Sequence, residues 1–157
     1  MAKNKYKRVL LKLSGESFCK PGQFGIDGAQ LKSISERIRK ICSELKIKVY
    51  APLWNYSAEQ LWRELLDKKF KVIITKIASE GIPSSFLGKI INEKLLSELK
   101  KMSERYKFRL DFEGGDAETS VLFMPGFRKE IGIEYDLESE GNYRHFLKLK
   151  QVYENQE

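Results

Sequence analysis

The feature that most constrains this chain is a change of hydrophobic period part-way along it. Leu31, Ile34, Ile38, Ile41 and Leu45 recur at three- and four-residue steps, which is one apolar face of an amphipathic helix. Ser57-Ala-Glu-Gln60 has the spacing of a capping box, and Leu61, Trp62, Leu65 and Leu66 behind it make the core face of a second helix. A third opens near Asn92, with Leu95, Leu96, Leu99 and Met102 inward. Beyond it the period falls to two. Residues 108–112, 119–124, 131–137 and 143–153 read as successive strands joined by tight loops. Three earlier runs also read as strands: 8–13, closed by Ser14-Gly15; 47–51, stopped by Pro52; and the β-branched 70–78. Between the first strand and first helix, CKPGQFGIDG must be a loop. The order is β-α-β-α-β-α and then all β. This predicts an α/β protein, a partial layered α/β domain followed by a C-terminal β-meander.

The 157 residues suit one domain with a real hydrophobic core, and 41% hydrophobic residues with 4 Pro exclude a disordered chain. No apolar run approaches the roughly 18 residues of a membrane span. The basic start, MAKNKYKRVLLKLSGES, has too short an apolar stretch and no small-residue cleavage site. A cytoplasmic protein without a membrane partner is expected. Cys19 and Cys42 show no metal-ligand spacing, as expected of thiols in a reducing compartment. The net charge of +7 is unevenly placed: residues 1–48 hold 12 Lys+Arg against 4 Asp+Glu, leaving 17 basic and 18 acidic residues beyond. A sheet-wide basic face for DNA is therefore not expected, whereas a local phosphate-attracting patch near the start is.

Four constellations could carry chemistry. Lys12-Leu-Ser-Gly-Glu16 follows a strand-like run, where an ammonium and open amides can meet a phosphate; a basic residue before an ordinary turn is the plainer reading. Tyr50-Ala-Pro-Leu-Trp54 is a strand end with a rigid aromatic turn, most simply a buried Trp. Ala78-Ser-Glu-Gly81 with Phe86-Leu-Gly88 is a glycine-punctuated loop at a strand's C-terminal end, where α/β sheets place ligands; Glu80 alone reads as solvated. Glu113-Gly-Gly-Asp-Ala-Glu-Thr119 packs three carboxylates and a hydroxyl around two glycines, a set able to hold an amine, an ammonium or a metal. From spacing alone, a hairpin turn with solvated acids is the simpler account. His145, the single histidine, alternates with Leu147 and Leu149 and reads as structural or exposed; no base–nucleophile pair is visible, so no catalytic residue is assigned.

Taken together, RIRKICSELKIKVYAPLW, EQLWRELLDKKFKVIITKIASEGIPSSFLGKIIN and EGGDAETSVLFMPGFRKEI resemble, in order and in register, the diphthine–ammonia ligase family of ATP pyrophosphatases, over roughly residues 34–157. The family pattern is close to YAPLW, AAEGL, WLGR and EGGExET. The resemblance implies adenylation of diphthine on elongation factor 2, amidation by ammonia to diphthamide, and ATP, with Mg, as cofactor. It implicates Pro52, Trp54, Glu80, Gly81, Leu87, Gly88, Glu113, Gly114, Gly115, Asp116, Glu118 and Thr119 on the side facing the protein substrate. Departures are Asp116 for a Glu, Ala117 for an aromatic, and Phe123 and Gly126 for Asp and Leu. The family's nucleotide loop, SGGKDS, does not occur in the sequence. YKRVLLKLSGESF and FGID instead resemble the start of bacterial uridylate kinase, which implies phosphate contacts from Lys12, Ser14 and Gly15. The expected organisation is thus residues 1–36 kinase-like and 37–157 ligase-like. Expected alternatives are a non-catalytic module binding a protein or small amine, and a kinase-derived nucleotide-binding fragment. Homo-oligomerisation stays open.

Overall fold

Each helix begins where a side chain satisfies amides that the first turn leaves unpaired. The structure, a computed structural model, describes residues 9–13, 15–20 and 27–155. Asp27 accepts from the Gln30 amide at 3.0 Å and starts α1 (Gly28–Glu44). Ser57 and Gln60 close the expected capping box at 3.1 and 2.9 Å and start α2 (Ala58–Asp67). Asn92 accepts from the Leu95 amide at 2.9 Å and starts α3 (Glu93–Tyr106). The strands are β1 (Lys71–Ile77), β2 (Ala117–Phe123), β3 (Ile131–Glu140) and β4 (Arg144–Glu154).

The chain divides into two compact units, Met1–Pro52 and Leu53–Glu157. In the first, a 3₁₀ turn (Gly15–Phe18) contacts α1, and Asp27 also pairs with Lys20 at 3.3 Å. The expected strand at 8–13 is not formed over its described part, 9–13, and neither is the one at 47–51. A run of β-formers becomes a strand only with a ladder partner for its amides, and no partner is present among the described residues. The apolar face of α1 is real but unburied: Leu31, Ile41 and Leu45 are exposed, Ile34 and Ile38 half-buried. Most of the CKPGQFGIDG loop lies outside the described residues.

The second unit is a layered α/β fold. Its sheet is antiparallel with strand order β2-β1-β4-β3, so the terminal β3–β4 hairpin is added to β1 rather than to β2. One sheet face packs on α2 and α3. Trp62, Ile74, Ile77, Leu95 and Leu99 are nearly sealed from water in that layer. A register shift between Ile74 and Lys76 lets β1 bury Val72, Ile74 and then Ile77 on one side. Pairing of β1 to β4 is confined to Lys76↔Phe146 and Ile77↔His145. Over Val72–Ile74 that edge of β1 is bonded instead to residues 88–91, and a trough of about 590 Å³ on the sheet is lined by residues of all four strands.

Residues 108–112 keep their period two without being a strand. Phe108, Leu110 and Phe112 are buried, as alternation requires. Their carbonyls, however, go elsewhere: Ser103 Oγ donates to Phe108 O at 2.7 Å and Trp62 Nε1 to Leu110 O at 2.9 Å. With those partners taken by side chains, no ladder forms. Phe112 has φ +60, in the left-handed region, and its ring is held edge-on by Trp62 at 6.2 Å and stacked on Phe108 at 6.3 Å.

Candidate functional site

The loop after β1 and the loop before β2 are brought to the same end of the sheet by their pairing. Ile77 opposes Ala117, Lys76 opposes Glu118, and the Ala78 amide donates to Asp116 O at 2.8 Å. Glu80 and Gly81 thus lie beside 113–119. The β3–β4 turn reaches this end too, since Ile77 also opposes His145. There Tyr143 sits against Glu80, whose carboxylate accepts the phenol's hydrogen bond and holds the phenol above its ordinary range. One end of a single sheet therefore gathers Glu80, Glu113, Asp116 and Tyr143 from three separate loops, with Glu118 and His145 from the strand ends beside them.

The acid loop is built from backbone constraints. Phe112 N donates to Arg109 O at 2.9 Å and Gly115 N to Phe112 O at 3.0 Å. Gly115 has φ +84 with open space where a Cβ would stand, so backbone conformation alone asks for glycine there. Arg109 forks onto Asp111 at 2.9 and 2.5 Å and holds that carboxyl below its ordinary range; Asp111 also accepts from Glu113 N at 3.2 Å. Glu113, Glu118 and Thr119 are left exposed and Asp116 half-exposed. Glu118 pairs with Lys76 at 2.8 Å. The arrangement presents carboxylates to solvent on a fixed turn, which suits recognition of a cation better than proton transfer, because no described polar side chain is buried.

Two of the implicated glycines have a packing reason instead. A Cβ on Gly81 would lie 2.6 Å from Tyr106 Cβ, and one on Gly88, at φ +76, would strike the Tyr135 hydroxyl. Leu87 is buried in the core. Trp54 corrects the expectation of a buried ring: it is 78% exposed, in the turn over 52–55, and the buried tryptophan of the core is Trp62, whose Nε1 donates to Leu110 O. Lys12 is exposed in the irregular 9–13 segment, Gly15 opens the 3₁₀ turn, and Ser14 lies outside the described residues. His145 Nδ1 lies 2.8 Å from Ser139 Oγ, a cross-strand contact in keeping with a structural role. Tyr143, Lys76 and Arg144 were not singled out in sequence; each looks like an ordinary surface residue until register places it. Among the described residues no three His, Cys, Asp or Glu side chains group as a metal site, and no helix is long and apolar enough to cross a membrane.

Comparison with known proteins centres on the second unit. Residues 57–154 match the family model described as the diphthamide synthase C-terminal domain. The chain belongs to that family. Within it, the chain is 34% identical over 99 residues to diphthine–ammonia ligase of Mus musculus, covering 62% of this chain and 37% of that protein. It is 33% identical over 113 residues to the ligase of Homo sapiens, with 70% and 42% covered, and 31% over 115 residues to that of Danio rerio, with 69% and 45%. The chain thus matches less than half the length of these relatives. Both the 78–81 loop and the 113–119 loop fall inside the family match.

Proposed function

We propose that Leu53–Glu157 is the protein-substrate side of a diphthine–ammonia ligase relative, and that the sheet end formed by Glu80, Tyr143 and 113–119 meets diphthine on elongation factor 2. The observation that carries this is that the family match, residues 57–154, lies wholly within the folded unit Leu53–Glu157 and contains both loops of the sheet end. The exposed acids on a pinned loop supply the chemistry, since diphthine carries a cationic group that carboxylates attract without needing burial.

ATP belongs to this reading only outside that unit. The described residues of the first third form no phosphate cradle: Lys12 stands exposed in a segment, 9–13, that forms no strand, and SGGKDS does not occur in the sequence. Phosphates are held by aligned amides at a strand–helix junction, and 9–13 builds none. Adenylation is accordingly assigned to a nucleotide-binding half that Leu53–Glu157 does not contain.

The test is the double substitution Glu113→Gln with Glu118→Gln. Binding of diphthine-bearing elongation factor 2, followed by calorimetry, is expected to weaken about tenfold, the equivalent of about 1.4 kcal/mol. The melting temperature is expected to stay within about 2 °C, because both side chains are exposed and a surface pair contributes little. Unchanged binding would remove the acid loop from the interface.

A further inference from the structure

We infer that the trough on the sheet takes an extended polypeptide segment of the protein substrate, apolar along its length and cationic at one end. The inference rests on the functional reading above and says which surface holds the chain flanking the modified residue.

Strand register sorts the lining of the trough by charge. The charged lining residues, Lys76, Glu118, Glu140 and Arg144, all lie where β1 joins β4 and where β3 turns into β4. Apolar lining residues run the length of the trough, from Phe146 and Leu147 at that end to Ile131, Ile133, Leu149, Val152 and Leu122 away from it. The trough is therefore charged at the acid-loop end alone. Leu149 and Val152 are 54% and 59% exposed, an unusual cost for β-branched and aliphatic groups on a strand unless something covers them.

Charge decides which end of a ligand goes where. At this end Lys76 pairs with Glu118 and Arg144 with Glu140, which leaves the carboxylates of Glu80, Glu113 and Asp116 without a salt bridge among the described residues. Those three carboxylates attract a positive side chain. Glu118 belongs both to the acid loop and to the trough, so the two surfaces are continuous. A segment that places its cationic residue at the loop must run its neighbours along the apolar strands. Apolar side chains in alternate pockets give the specificity that a single cation cannot.

Leu149→Asp and Val152→Asp, each in the full chain, are titrated calorimetrically with diphthine-bearing elongation factor 2, alongside the milder Leu149→Ala and Val152→Ala. The expected result is a tenfold or greater loss of affinity in the Asp variants and a smaller loss in the Ala variants, with circular dichroism unchanged. Wild-type affinity in all four variants would overturn the inference while leaving the functional reading in place. Failure of the wild type itself to bind would remove that reading and the inference with it. Sedimentation of the same samples covers the other occupant: a wild-type dimer that the Asp variants dissociate would assign the trough to a second copy and overturn the inference.

Discussion

Single residues here divide into those whose identity is forced by packing and those left free to meet a partner. Gly88 belongs to the first group. Its φ of +76 costs an L side chain about 1–2 kcal/mol, and its Cβ would in addition meet the Tyr135 ring, with Cζ at 3.0 Å. Gly88→Ala is expected to lower the unfolding free energy by roughly 2 kcal/mol in urea melts, and Tyr135→Leu in that background should restore part of it. Full recovery would mean that backbone conformation contributes nothing. Glu113 belongs to the second group, exposed on a turn fixed by Phe112 and Asp111, and so does Glu118, exposed at the start of β2 beside Lys76. Of these features, the sequence made legible that 113–119 is a glycine turn rich in acids. It could not show that Phe112 would adopt a left-handed backbone, because that conformation is held by Trp62 and Phe108 from other elements.

Among the elements, local signals succeeded wherever a segment supplies its own hydrogen-bond partners. The α2 capping box needs only four consecutive residues and was readable as such. Ser57→Ala is expected to cost about 1 kcal/mol, seen as a melting-temperature drop of several degrees, with Ser57→Gly closer to wild type. A drop below about 1 °C would mean that tertiary packing alone fixes the start of α2. Strands behave differently because a strand's partners lie elsewhere. The β-rich runs at 8–13, 47–51 and 108–112 carry the right residues, yet the first two find no ladder among the described residues and the third gives its carbonyls to Ser103 and Trp62. Runs 70–78, 119–124, 131–137 and 143–153 correspond to β1 to β4, with ends displaced by a few residues.

For the whole molecule, the division at Pro52 separates a part with a buried core from a helix whose apolar face is left open. A complete ligase needs both a substrate surface and a phosphate cradle. Given ATP, ammonium and diphthine-bearing elongation factor 2, this chain alone is expected to release no AMP and pyrophosphate above the protein-free blank. Release that Glu113→Gln suppresses would show a complete active site and overturn the assignment of adenylation to another half. The sequence by itself determined the three helices, the capping box of the second, the α/β class, the family resemblance and the missing SGGKDS, all of which are properties of contiguous residues. Only the tertiary structure decided that Glu80, Tyr143 and the acid loop share one end of a sheet, and that a trough runs away from it. Those facts depend on register between strands far apart in the chain, Lys76 with Phe146 above all, and pairing at that range is set by which buried faces fit rather than by any local pattern.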